Sequence, residues 1–400
     1  MLPNLPAELV DLILSFLHPT VLARSNGRQN YLDKSSAITL GRCGRVCRAW
    51  MRSSRRILFY RVHIRRSTAH GFAKLFRKPE RLTFLPYMRE LGFDFDIVED
   101  RWMVSVLPKL VRHLPPTIHV LQYSCATSSR PILLPPFPLQ SITHLVISGL
   151  GQLMFAGLVS CISSFPALSH LQLSARSITV MSVPPASRPP PTLRSLDLNF
   201  SNLRPFLAWL ETGEGRRIAT LKLFVPHHTG WGHPPPPDEL KLDYLPPFIR
   251  HLGGSLTSLT LGFAEGWRGD VSDIATACFL KLNPKLHTLA LQSTYEKTMT
   301  MFTGMHISPA LYHLVLSAYK KFRDDDSVWT TNKAVEAVNA RLEGAANTNM
   351  TVDIIHVELT HWRQHGAPAD YEGLVSGKWG GTITVSKIFH SYCQENVWGS

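Results

Sequence analysis

Acidic residues are scarce in this chain. Asp and Glu total 29 against 42 Lys and Arg in 400 residues, a formal charge of +13. Such a balance permits an acidic or nucleic-acid partner and compels neither. Charge of both signs is thin, at 18% against 44% hydrophobic residues, which excludes a disordered tail and allows a buried core. Cysteine is sparse and scattered: Cys43, Cys47, Cys125, Cys161, Cys278 and Cys393 include no pair of Cys-x-x-Cys units. Reduced thiols in a cytoplasmic or nuclear protein are expected, not a disulfide framework. No stretch reaches the roughly eighteen uncharged apolar residues of a membrane span. The N-terminal apolar run is broken by Glu8 and Asp11 and has no basic lead, so no secretory signal and no membrane association are expected.

Catalytic signatures are missing too. The chain has no Gly-x-x-x-x-Gly-Lys-Ser/Thr, no His-Glu-x-x-His, no Gly-x-Ser-x-Gly and no dinucleotide fingerprint. Nothing positive points to an enzyme or to a cofactor, and none is expected.

What is present is repetition. The pattern apolar-x-x-Leu-x-apolar starts at Met88, Ile118, Ile142, Leu168, Leu193, Ile218, Leu256, Leu286 and Leu311, at intervals of 30, 24, 26, 25, 25, 38, 30 and 25 residues. The fourth and sixth positions, such as Leu196 and Leu198, share a parity and point to one face of a strand. Pro116, Pro166, Pro191, Pro284 and Pro309 each stand two residues ahead of a first position, ending what precedes and setting the chain for an extended segment. Helical stripes fill some intervals, as in Leu203, Phe206, Leu207 and Leu210, or Val271, Ile274, Ala275 and Cys278. Another helix is expected around 334–342 and a closing strand over 352–357. Strand–helix units repeated at this period predict an α/β fold with a parallel sheet. A (β/α)8 barrel also alternates strand and helix, but its strands need not look alike, and no convergent acid–base set follows these strands.

The repeats resemble the leucine-rich-repeat family in an irregular form. Where the regular repeat carries an asparagine or cysteine past the strand leucines, this chain has Leu150, Arg176, Ser201, Pro226, Ala264, Thr294 and Tyr319. The resemblance implies a solenoid with its sheet on the concave side, and the third and fifth positions of each strand form the exposed face. His144, His170, Gln172, Ser195, Asp197, Lys222 and His313 are the candidate target-binding residues on that face. No third ligand is evident beside His144 and His170, nor around His227, His228 and His233, so no metal is expected. The proline runs near 183–191 and 234–237 read as stiff excursions, with polyproline ligands as the alternative.

The start of the chain is different. Leu9, Leu12, Ile13, Phe16 and Leu17 make one stripe of a short helix beginning near Pro6, and a second helix is expected over 36–54 with Leu40, Cys43, Val46, Cys47 and Trp50 inward. Leu5-Pro6-x-Glu8-Leu9, then Ile13, Leu17, Leu40, Cys43 and Val46-Cys47-Arg48-x-Trp50, resemble an F-box, the helical module of ubiquitin-ligase adaptors. Its interhelical loop is longer than usual and the terminal tryptophan of many F-boxes is absent. The resemblance implies docking on a Skp-type adaptor, tied to a cullin, through Leu5, Pro6, Glu8, Leu9, Ile13, Leu17, Val46, Cys47 and Trp50. An unrelated helical cap would use the same residues as core. Nine arginines between Arg42 and Arg66, with no acid between Asp33 and Glu80, read as a solvated face meeting acidic groups, or alternatively as a phosphate-backbone contact.

The expected organisation is an F-box-like module over 1–64, a leucine-rich-repeat-like solenoid over 65–360 and a tail over 361–400 of unassigned role. The expected function is a substrate-recognition adaptor of a Skp–cullin–F-box ubiquitin ligase. The alternative is a scaffold outside ubiquitination that contacts nucleic acid through the arginines.

Overall fold

Each lead-in of the repeat becomes the start of a strand. The computed structural model describes residues 6–15, 34–76, 78, 82–95, 110, 113–125, 131–132, 139–179, 187–213, 217–225, 243–263, 284–304, 307, 310–320, 331–343, 350–361, 371–376 and 382–392. The fold is α/β, dominated by parallel strands. The chain divides into two compact units, Met1–Ala126 with Phe137–Val146, and Thr127–Pro136 with Ile147–Ser400.

The first unit opens with three helices, α1 (Ala7–Ser15), α2 (Lys34–Cys43) and α3 (Arg48–Leu58), followed by β1 (Arg61–Arg65) and α4 (Arg66–Leu75). The single helix expected over 36–54 is two helices. Its hydrogen bonds shorten at Gly44–Val46, where Arg45 N–H reaches Arg42 O at 3.0 Å and Val46 N–H reaches Cys43 O at 3.1 Å. A tightened last turn with a glycine in it ends the helix. Extended Cys47 then offers its carbonyl to Met51 N–H at 2.9 Å and starts α3. Val10, Leu14 and Leu40 are the buried centre of this cluster, with Cys43, Trp50, Ile57 and Leu58 packed around them. Beyond it, β1 pairs in parallel with β2 (Glu90–Phe95), and β2 with β3 (Val120–Cys125).

The chain enters the second unit along β5 (His144–Met154), whose Gln152 and Leu153 pair with the short β4 (Pro131–Ile132). Then follow α5 (Phe155–Ser163), β6 (His170–Thr179), β7 (Ser195–Asn199), α6 (Arg204–Glu211), β8 (Thr220–Val225), α7 (Leu245–Leu252), β9 (Ser258–Phe263), β10 (Thr288–Thr294), α8 (Tyr295–Gly304), β11 (His313–Lys320), α9 (Thr331–Leu342) and β12 (Thr351–His361). Strands β6 to β12 lie side by side in chain order, all parallel. The segment left unassigned over 361–400 supplies two more strands: β14 (Thr382–Tyr392) continues the parallel run on β12, and β13 (Tyr371–Ser376) folds back antiparallel on β14. No pairing among the described strands closes either run on itself.

All nine lead-ins place their third position at the first residue of a strand, β2, β3 and β5 to β11. Register then matches third position to third position, as in His170↔Ser195↔Thr220↔Ser258↔Thr288↔His313. First, fourth and sixth positions are buried throughout, with Leu193, Leu196 and Leu198 at 4%, 0% and 0% exposure. The prolines act through a β-turn. Phe165–Leu168 and Pro190–Leu193 are each closed by the first-position N–H on the carbonyl three residues back, at 3.1 and 3.2 Å, with Pro166 and Pro191 second in the turn, where a fixed φ suits it.

A hydroxyl ladder stands where no asparagine ladder is available. Thr117, Thr192 and Ser255, each just before a first position, donate to the first-position carbonyl of the preceding copy: Met88 at 2.9 Å, Leu168 at 2.7 Å and Ile218 at 2.9 Å. Thr192→Val is expected to cost about 1 kcal/mol by leaving the Leu168 carbonyl short of a donor, measured by urea unfolding. An unchanged midpoint would remove the ladder from the fold's stability.

The stripe Leu203, Phe206, Leu207 and Leu210 is buried, Leu203 at the N-cap and the others on α6; Ala334 and Leu342 fall on α9, and Val352 and Ile354 are inward on β12. The stripe Val271–Cys278, the histidines of 227–233, the proline run 234–237 and Pro309 lie outside the described residues. Among the described residues no helix is long and apolar enough to cross a membrane.

Candidate functional site

The candidate residues lie on the helical cluster of the first unit and at outward strand positions, His144 in the first unit and the rest in the second. In the first unit α1 is amphipathic in an unusual sense, since both of its faces are apolar. Val10 and Leu14 are buried against Leu40, while Leu9, Leu12 and Ile13 are 45%, 54% and 43% exposed. The described part of the stripe read from the sequence, Leu9, Leu12 and Ile13, is therefore the outward one, and Phe16 lies outside the described residues. Ile38 on α2 and Val46 in the turn are also exposed, Val46 at 63%. Pro6 and Glu8 are exposed as well, and the N–H groups of Leu9 and Val10 bond the Pro6 carbonyl at 3.1 Å, fixing the helix start. Val46 and Cys47 were expected inward with Trp50. The break between α2 and α3 turns both outward, and Trp50 alone of the three packs on the core. Leu5 and Leu17 lie outside the described residues.

The arginine cluster divides in two. Arg56 pairs with Asp11 at 2.7 Å, tying α3 to α1. Arg61 pairs with Glu90 and Arg65 with Asp94, across the β1–β2 ladder, the latter at 3.1 Å. Arg55 donates to Thr83 at 3.1 Å. Arg42, Arg45, Arg48 and Arg52 are exposed on α2, α3 and the turn between them, in the same helical cluster as the outward apolar residues.

His144 lies in the first unit, where its Nδ1 is 2.9 Å from the Thr143 hydroxyl and its ring meets His119 edge-on at 6.5 Å. In the second unit the third and fifth strand positions face outward. His170, Gln172 and Lys222 are exposed; Ser195, Asp197 and His313 are half-buried. His170 Nδ1 is 2.8 Å from the Ser169 hydroxyl, an arrangement like that at Thr143–His144. His313 Nε2 is 2.7 Å from an Asp353 carboxylate oxygen on the next strand. Sequence reading missed Asp353, because β12 opens without an apolar residue at its first position, Asn349. Among the described residues no group of three His, Cys, Asp or Glu side chains is placed to hold a metal ion.

Asp197 and Lys222 stand in register on β7 and β8. Burial pushes the Asp197 carboxyl above its ordinary value, and the Lys222 ammonium only partly opposes this. Burial also lowers Lys297, against the pull of Glu296, and pushes the Cys161 thiol up to about 12, an inert core thiol.

A folded carboxyl with a raised pKa binds its proton more tightly than the unfolded one. Its charged form thus opposes folding above the folded pKa, and that opposition fades as pH falls toward the unfolded value of 3.8. Asp197→Asn is expected to raise the melting temperature at about pH 7 and to lose that advantage by about pH 3. Equal melting shifts at both pH values would contradict this account.

No protein-family model matches the chain, and no curated protein aligns with it.

Proposed function

We propose that this protein is the substrate-recognition adaptor of a Skp–cullin–F-box ubiquitin ligase, with α1–α3 as an F-box-like module and the parallel strands as an irregular leucine-rich-repeat solenoid. The observation that carries the reading is the outward set Leu9, Leu12 and Ile13 on α1. A helical cap serving only its own fold buries its apolar stripe. This helix uses Val10 and Leu14 for the core and leaves three large aliphatic residues on the surface. Exposed aliphatic clusters on small helical modules are partner-binding surfaces. The exposed arginines of the same cluster suit an acidic partner.

In this reading the strand face of the second unit holds the target protein, and ubiquitin transfer belongs to a separate enzyme. The protein itself acts in the cytoplasm or nucleus and needs no cofactor. Affinity purification of the full chain from cells should recover a Skp-type adaptor with its cullin. If the intact, folded chain recovers neither, the proposal fails.

The second reading is a scaffold contacting nucleic acid, and Arg42, Arg45, Arg48 and Arg52 are the residues that favour it. It requires affinity for duplex DNA or RNA that falls steeply with salt. A flat salt response, with adaptor recovered, leaves the first reading in place.

A further inference from the structure

Along β6 to β10 the described outward positions carry small or polar side chains except at Phe224. Phe224 sits at the seventh position of β8, half-buried, with its ring laid sideways over the neighbouring strand. Gly262 is its register partner on β9. A Cβ built there would overlap Phe224 Cδ2 and come within 3.1 Å of Cε2. Glycine at that position is what lets the ring lie across the sheet; any side chain would lift it away.

On the other flank of β8, Asn199 is in register with Phe224 and Asp197 with Lys222. Asp197 is therefore a diagonal neighbour of Phe224, about 7–8 Å away between backbones, while the ring leans to the opposite flank over β9, so one side chain lying across β8 would meet both.

The chemistry of that pair is selective. An aromatic face attracts a cation and repels an anion, and an apolar stem can cover the ring while its charged end reaches a carboxylate. A purely apolar anchor would use the ring and leave the half-buried carboxylate with Lys222 as its partial offset. An acidic group would meet the charge of Asp197. Lys222, exposed on the intervening strand, is the competing cation from the protein itself. Its attraction does not offset the burial of Asp197, so the carboxylate still gains from a second positive charge. The net charge of +13 disfavours a polybasic run at long range, so the geometry selects one cation in an otherwise uncharged segment.

We propose that Asp197 and Phe224, the ring seated on Gly262, form the docking point for a single lysine or arginine side chain of an extended target segment. This inference rests on the reading of the strand face as the target-binding surface, and it names the class of target residue.

The test is selection of a random-peptide phage library on the full chain, followed by anisotropy measurements with fluorescent copies of the selected peptides. Selected peptides should share one Lys or Arg without a basic run. Asp197→Asn, Phe224→Ala and Gly262→Val should each weaken them about tenfold, and Lys222→Met should tighten them by removing the competitor. Thermal melts of each variant confirm folding; should Gly262→Val not fold, the Asp197 and Phe224 variants decide. Peptides with acidic or purely apolar anchors, binding indifferent to Asp197→Asn, or no enrichment at all would each overturn the inference. Apolar peptides lost with Phe224→Ala would leave the face a target site of another class. Failure to recover an adaptor from cells would sink the ligase reading without touching these measurements.

Discussion

Leu196→Asp unfolds the centre of the second unit. Leu196 is fully buried at the fourth position of β7, and its register partners Leu171 and Leu221 are at 1% and 0% exposure. Removing a leucine from such a site costs about 2–5 kcal/mol in lost transfer energy and cavity. A carboxylate in its place adds several more, because the row offers it no cation and protonating it at neutral pH is itself unfavourable. The total, upward of about 5 kcal/mol, is comparable to the whole stability of an ordinary domain, about 5–15 kcal/mol. Strands β6 to β12 follow one another in chain order, each paired with the next, so damage is greatest at β6–β8 and fades toward β12. Hydrogen exchange should show protection lost first across 170–225. A mutant with unchanged melting temperature would mean that Leu196 is not in the stack.

The same row explains what was legible in the sequence. A first-position apolar residue, a proline-set turn before it and leucines two apart recur because each copy must make the same turn and bury the same three side chains. Nine strands, with their inward and outward positions, followed from that. What escaped are the copies in which the physics is kept and the letters are not. Strand β1 has the same frame, Phe59-Tyr60-Arg61-Val62-His63-Ile64, with valine in the leucine position, and pairs Val62 with Leu91. Strand β14 puts Ile383 opposite Val352 after two glycines at the lead-in. Valine and isoleucine fill a strand position as well as leucine does, so a leucine-keyed search passes over them. The hydroxyl ladder was also invisible, because Ser and Thr are common before strands and only the register brings Thr192 to the Leu168 carbonyl.

At the candidate sites, legibility failed where an element has two apolar faces. Periodicity shows that Leu9, Leu12 and Ile13 share a face, and equally that Val10 and Leu14 share one. Which set is buried depends on Leu40, thirty residues away in a helix whose position no local rule supplies. Likewise Val46 and Cys47 read as inner residues of a continuous helix until the turn at Gly44–Val46 rotates them out. On the strand face, alternation identified Asp197 and Lys222 as outward, whereas the ring of Phe224 over Gly262 is a cross-strand fact that parity alone does not contain.

The two faces of α1 give the second large effect, because the same chemical change has opposite outcomes on them. Val10→Asp with Leu14→Asp puts two carboxylates into a core that also includes Leu40, Trp50, Ile57 and Leu58. Each substitution costs about 2–5 kcal/mol, and a cluster of this size has no such reserve, so the helical segment melts. Leu9→Asp with Ile13→Asp changes side chains that already face water, and surface changes of that kind shift stability by about 0.5 kcal/mol. Two aliphatic side chains fully buried in an interface contribute about 2 kcal/mol each, and carboxylates in their place must also be desolvated. Recovery of a Skp-type adaptor is therefore expected to fall at least about a hundredfold, the equivalent of about 3 kcal/mol, while the melting curve stays put. Circular dichroism beside adaptor pull-down separates the cases. Should Leu9→Asp with Ile13→Asp unfold the module, the outward face is core in solution; should it fold and still bind, the adaptor does not dock on α1.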